Sequence, residues 1–318
     1  MCNFLWHKAL SKHLTAITDL TVSDSTSPAR FLERSTVVDA TLNVKLEEFP
    51  DWKLAENTID FLNPTVYRPG EISGFQYAIY FISSEKLALF KRRISLNTPE
   101  LKLSTTEILS AFLWPHVVVA RDINPQTYPE ARLSLAVDAR SRMRSPSVPR
   151  NYWGNFSEPN AVARLPVVIL QSGSTLPSSS SSDNGWTAVY ADAARRIYDA
   201  IRAVDDNAVR RLVSLLNHLS KSPMLTWNVD RYPGPDMLIV CIKTHRFNRI
   251  NFGHQLGYPL ATRCTVGDTE GKPDGRCMIL PPRKADGQGI EVLLQYDRST
   301  LKKLEGCAEF RNFFVRRN

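Results

Sequence analysis

Apolar residues recur at two different periods along this chain, and the order of those periods restricts the fold more than any other feature. Phe75, Tyr77, Ile79 and Phe81 fall on every second position, the repeat of a strand with one strongly apolar face. Leu133, Leu135 and Val137 alternate in the same way, and residues 163–170, 237–242, 278–280 and 290–296 are short strand-like runs. Segment 36–49 has the β-branched content of a strand. Helical patterns cover 187–203, 206–220 and 298–304, and Phe4, Leu5, Leu10, Leu14 and Ile17 predict a helix over 1–20. Ser83-Ser84 caps a predicted helix over 85–93. No internal repeat is present. Strands and helices mix without strict alternation, which predicts an α/β fold built on mixed sheets rather than a doubly wound parallel one.

Local signals sharpen that outline. Ser104-Thr105-Thr106-Glu107 is a capping box, in which the Ser oxygen accepts from the third amide of the helix and the Glu reaches back. The apolar run Ile108 to Trp114 follows, and Pro115 is expected to kink or end that helix. Residues 22–35, a break between Asn63-Pro64 and Pro69-Gly70, and Arg140 to Pro149 read as loops. Ser178 to Ser182 is a serine run inside a stretch, 171–185, expected to be flexible.

A chain of 318 residues fits about two domains. With 43% hydrophobic and 23% charged residues, its composition is that of a soluble globular protein. No run approaches the ~18 apolar residues of a membrane span, and the start, MCNFLWHKAL, lacks the pattern of a signal peptide. The five cysteines, Cys2, Cys241, Cys264, Cys277 and Cys307, contain no C-x-x-C pair, which argues against a disulfide framework or zinc site and for a reducing compartment. A cytoplasmic monomer without a membrane partner or a metal is expected. The net charge of +8 favours polyanionic partners: nucleic acid, anionic lipid or a phosphorylated cofactor. Its densest cluster is Arg140, Arg142, Arg144 and Arg150, with smaller ones at Lys91-Arg92-Arg93 and Arg195-Arg196. These charges are spread along the chain and lack interleaved aromatics, so they read as a solvated face and nucleic acid is not expected as a partner.

Three stretches in fixed order carry more. The first runs from Ser104-Thr105-Thr106-Glu107 through Ala111-Phe112-Leu113-Trp114 to Ala120-Arg121. The second is Val137-Asp138-Ala139-Arg140-Ser141-Arg142, then Pro149-Arg150-Asn151-Tyr152-Trp153-Gly154-Asn155. The third is Asn251-Phe252-Gly253-His254-Gln255-Leu256-Gly257-Tyr258-Pro259, followed by Gly289-Ile290-Glu291-Val292 and a final helical segment, Leu304 to Phe310. Taken singly, each has an ordinary structural reading: a capped core helix, a turn, a glycine loop.

Together and in this order they resemble the BAHD family of acyl-CoA-dependent acyltransferases of plants and fungi, over roughly residues 30–315. The family patterns are Val-Asp-x-Arg-x-Arg, then Tyr-Phe-Gly-Asn, then Asp-Phe-Gly-Trp-Gly or its fungal form Asp-Phe-Gly-x-Gly-Leu-Gly-x-Pro, then Gly-Gly-Ile-Glu-Val. The serine loop and the Gly-Leu-Gly pattern look most like the fungal trichothecene 3-O-acetyltransferase-like branch. The resemblance implies a two-subdomain architecture similar to chloramphenicol acetyltransferase, with residues 1–70 a remnant of the first subdomain and 71–318 the second. It implies transfer of an acyl group from acyl-CoA, the co-substrate, to a hydroxyl or amine of a small molecule, in secondary metabolism. Tyr152, Gly154 and Asn155 would lie at the substrate and coenzyme A tunnel. Arg140, Asn251, Phe252, Gly253 and Gly257 would be structural, the family's Asp at position 251 pairing with Arg140. Asn251 can make that contact only without charge assistance.

The family's base is the His of a His-x-x-x-Asp motif. The residues four positions beyond His7, His13, His116, His218, His245 and His254 are Ser11, Ile17, Ala120, Ser222, Arg249 and Tyr258, and none is aspartate. No catalytic residue is therefore assigned to this chain. His254 is the histidine inside a family motif, at a position that is not catalytic in the family. Residues 4–18, 22–30 and Glu33-Arg34-Ser35 fit the succession that follows the histidine motif, so an N-terminally truncated chain is expected. The alternative to an active acyltransferase is a catalytically dead or mis-started product that at most binds coenzyme A or a partner chain.

Overall fold

The structure, a computed structural model, describes residues 42–54, 75–144, 147–148, 160–175, 185–219, 225–231, 233–244, 250–263, 275–283 and 289–317. The helix expected over 1–20, the loop over 22–35 and the break over 63–70 lie outside these residues. The described strands are β1 (Trp52–Leu54), β2 (Phe75–Ser83), β3 (Glu130–Ala136), β4 (Asn160–Pro166), β5 (Leu225–Trp227), β6 (Met237–Cys241), β7 (Arg276–Leu280), β8 (Gly289–Asp297) and β9 (Val315–Arg317). The helices are α1 (Ser84–Asn97), α2 (Thr105–Ala120), α3 (Val167–Thr175), α4 (Trp186–Ala203), α5 (Asp206–His218), α6 (Arg298–Gly306) and α7 (Ala308–Phe313).

Seven strands form one sheet in the order β4-β3-β6-β7-β8-β2-β9. The neighbours β3, β6 and β7 run parallel, and the pairs β4–β3, β7–β8, β8–β2 and β2–β9 are antiparallel. This is the mixed sheet expected from the sequence. A separate ribbon pairs β1 with β5, where Trp52 meets Trp227 edge-on at 6.4 Å.

Helix α2 forms the centre of the layer packed on one sheet face. Thirteen of its sixteen residues are buried, as expected of a helix that is apolar all round. The capping box forms as read: Ser104 Oγ accepts from the Glu107 amide at 3.3 Å, and the Glu107 carboxylate accepts from the Ser104 amide. Pro115 does not end the helix, which continues to Ala120. The proline removes one backbone hydrogen bond, but packing on every side holds the remaining turns. Around α2, Phe90 of α1, Tyr190 of α4 and Phe310 and Phe313 of α7 join the same core as Tyr80, Ile239 and Leu294 of the sheet.

Other expectations need correction. In β2 the face packed into the core is Ala78, Tyr80 and Ile82, whereas Tyr77 is 45% exposed and Ile79 and Phe81 are half-buried. Both faces of this strand are apolar, so a period of two alone does not say which meets the helices. Residues 163–170 are not one strand: β4 ends at Pro166 and α3 begins at Val167, burying Val167 and Leu170 and exposing Val168. A short run of β-branched residues does not distinguish strand from helix. Residues 171–175 close α3, and the serine run lies outside the described residues. Of segment 36–49, the described part contains a single-turn helix at Leu46–Glu48 and no strand. Helix α1 extends four residues past its expected end at 93.

Candidate functional site

At the end of β3 the chain turns sharply. Asp138 caps a single-turn helix, Ala139–Ser141, by accepting from the Arg140 amide at 3.1 Å. The same carboxylate grips the Arg140 guanidinium, from Nε at 2.9 Å and Nη2 at 2.7 Å. Two parallel charge-assisted bonds fix the arginine's plane as well as its position. Arg142 Nη1 donates to the Ile201 and Val204 carbonyls, at 3.1 and 3.2 Å, at the end of α4. A cation there complements the negative end of the helix dipole. The Arg144 amide donates to Asp206 at 2.9 Å. Hydrogen bonds from Arg210 and then from that amide hold the Asp206 carboxyl below its usual range. Arg140 and Arg142 of the densest basic cluster thus serve the fold with their guanidiniums, and Arg144 with its backbone amide. Arg150, Tyr152, Gly154 and Asn155 lie outside the described residues.

The glycine motif forms a tight double turn. Asn251 Oδ1 accepts from the Gly253 amide at 3.0 Å, Phe252 N donates to Gly257 O at 2.8 Å, and Gly257 N donates to Gly253 O at 2.8 Å. Gly253 has φ 98° and Gly257 φ 65°, both in the region that disfavours a Cβ. Asn251 therefore closes its own turn, a part that sequence reading assigned only to a contact with Arg140. The turn holds Leu256 and Leu260 outward, 74% and 77% exposed, with His254 and Gln255 also exposed.

A third group went unrecognised in the sequence. Glu291, in the Gly-Ile-Glu-Val segment, is completely buried at 0% exposure on the sheet face opposite α2. Its carboxylate accepts from Arg263 Nη1 at 2.8 Å and Nη2 at 3.3 Å, Arg283 Nε at 2.8 Å and Arg317 Nη1 at 3.3 Å. Arg317 also lies over the Phe81 ring at 3.6 Å. The visible signal is a lone Glu inside an apolar strand; its partners, 26 or 28 positions away in two cases, carry no spacing rule.

The described histidines differ sharply in setting. His116 is fully enclosed, stacked on Trp186 and on Phe112, with Nδ1 donating to the Phe112 carbonyl at 2.9 Å. Burial lowers its pKa to about 4. His218 and His254 are exposed, His218 with Nδ1 2.8 Å from Ser214 O. Among the described residues no group of three or more His, Cys, Asp or Glu could hold a metal ion. Nor, among them, is any helix long and apolar enough to cross a membrane.

A mixed sheet layered with helices on the α2 side, carrying the Val-Asp-x-Arg turn and the glycine double turn, defines a chloramphenicol-acetyltransferase-like subdomain. The profile described as Transferase family matches residues 75–311, and the chain belongs to that family, the BAHD acyltransferases. It is 25% identical over 240 residues to acyltransferase easC of Emericella nidulans, covering 74% of this chain and 45% of that protein. To anthranilate N-benzoyltransferase protein 1 of Dianthus caryophyllus it is 26% identical over 210 residues, 66% of this chain and 42% of the relative. The chain thus spans less than half the length of these two relatives. Among solved structures, TRI101 of F. sporotrichioides complexed with coenzyme A and T-2 superimposes with a TM-score of 0.64 at 16% identity, covering 90% of this chain and 59% of that one. TRI101 of F. graminearum complexed with ethyl coenzyme A gives 0.60 at 18% identity, covering 86% and 60%. These likenesses establish the fold.

Proposed function

We propose that this chain is the coenzyme-A-binding, C-terminal part of an acyltransferase that moves an acyl group from acyl-CoA to a hydroxyl or amine of a small molecule in secondary metabolism. The observation that carries this reading is the family match over 75–311, which spans all three ordered motifs. In it, residues 1–70 are a remnant of a first subdomain and 71–318 form the second. Tyr152, Gly154 and Asn155 line the tunnel edge, while Arg140 and the 251–257 turn hold the wall behind them. The chain works in the cytoplasm as a monomer, without metal, nucleic acid or membrane.

The chemistry needs a base near neutrality to take the acceptor proton, and donors around the thioester oxygen as it becomes negative. His116 is enclosed in the core, and none of the chain's histidines has an aspartate four residues on. That observation favours a second reading, a truncated, catalytically dead chain that binds coenzyme A or a partner and turns nothing over. Calorimetric titration of coenzyme A into the 318-residue chain tests what the two readings share. Saturable binding that Asn155→Ala weakens is expected, and no binding would overturn the first reading and leave the second only a partner chain to bind.

A further inference from the structure

The arrangement around Glu291 has more positive charge than one carboxylate needs. Four N–H bonds reach its two oxygens, three at Oε1 and one at Oε2, where a carboxylate oxygen has about two lone pairs. Three guanidiniums from three separate segments of the chain converge there, an excess of two positive charges within the group. One arginine would neutralise the buried carboxylate; all three are attracted to it, but they repel one another at close range. Arg283 spends its Nε on Glu291, and its Nη1 and Nη2 groups have no partner among the described residues. Its side chain is 32% exposed, and those of Arg263 and Arg317 are also partly exposed. A guanidinium held at its Nε, with its paired amino groups unengaged among the described residues, presents the fork that fits two oxygens of a phosphate.

We infer that Arg263, Arg283 and Arg317, held in place by Glu291, form a binding site for a phosphate group, as a monoester or a diphosphate. Glu291 acts as the frame: it orients the three side chains from below without reaching the ligand. Two sources of that phosphate fit the chemistry, the nucleotide end of coenzyme A, which rests on the function proposed above, and free inorganic phosphate or pyrophosphate.

Calorimetric titration of the full chain with coenzyme A, 3′-dephospho-coenzyme A, pantetheine and inorganic pyrophosphate separates these. Arg283→Gln should weaken pyrophosphate and coenzyme A about tenfold or more, the loss of a charged hydrogen bond, and leave pantetheine and the melting temperature unchanged. A difference between coenzyme A and its 3′-dephospho form that vanishes in the variant places the 3′-phosphate at the site. If Arg283→Gln does not fold, Arg263→Gln carries the same expectation. Coenzyme A and pyrophosphate binding that neither substitution weakens overturns the site and leaves the function standing. Variant-sensitive pyrophosphate binding without coenzyme A binding keeps the site and removes the function. Absence of binding by every phosphate probe overturns the site.

Discussion

His116 lies flat against Trp186, their ring centroids 4.2 Å apart and their planes 8° from parallel. Phe112 covers the other side at 4.4 Å. The imidazole is therefore shielded from water that would stabilise its charged form, and its Nε2 is buried without a hydrogen-bond partner among the described residues.

The first prediction follows from that setting. The folded-state pKa of His116 is about 4 against 6.5 when solvated, with burial the main cause. Above pH 6.5 both states are neutral there and the residue contributes no pH dependence. As pH falls from 6.5 to 4, the unfolded chain takes up a proton that the folded chain refuses, so stability drops, by about 3 kcal/mol at full extent. His116→Phe keeps the stack and removes the titration. Denaturation midpoints measured from pH 7 to pH 4 should diverge in favour of the variant; parallel curves would mean the ring is accessible to protons.

Asn251→Asp should raise stability by on the order of 1 kcal/mol. A carboxylate would accept the Gly253 amide bond more strongly than the Asn251 oxygen does at 3.0 Å. Repeating the substitution in an Arg140→Gln background separates two origins. A gain that persists belongs to the Gly253 cap, and one that disappears belongs to the proposed contact with Arg140. No gain in either background refutes both.

Gly257→Ala should cost about 1–2 kcal/mol, and Gly257→Asn less. A Cβ at Gly257 would meet nothing within 4 Å, so the cost is one of backbone conformation at φ 65°. Thermal melting of the two variants checks it. Equal destabilisation by Ala and Asn would point to a lost contact instead.

The 318-residue chain should show no measurable acyl transfer from acetyl-CoA. Missing general-base help alone typically costs ~10²–10⁴-fold. A continuous thiol-release assay across candidate alcohols and amines is the measurement, and robust turnover would overturn the catalytically dead reading and the need for a His-x-x-x-Asp base. If a longer, active form carrying a His-x-x-x-Asp exists, replacing that histidine by Ala should abolish its activity.

What the sequence made legible was local. The Ser104–Glu107 box reads directly because its two bonds join residues three apart. The strand at 75–83 reads from alternation, but its orientation depends on what packs above Ala78, Tyr80 and Ile82, which lies elsewhere in the chain. Pro115 reads as an end because propensity ignores the packing around α2. The Asp138–Arg140 grip spans two residues and was passed over because the family pattern directs attention to position 251. The Glu291 group was beyond reach: Arg263, Arg283 and Arg317 meet only once strand register and two connecting turns are set.

Strand β2 lies between β8 and β9, and Tyr80 donates at 2.8 Å to Glu305, 225 residues further along. During synthesis on the ribosome, β2 emerges with two apolar faces and both neighbours still untranslated. Pairing across such a span is slow, and an exposed apolar strand is open to aggregation while it waits. The chain thus depends on being finished before its sheet can close around β2, which makes its yield sensitive to early stop codons, slow elongation and the supply of holding chaperones.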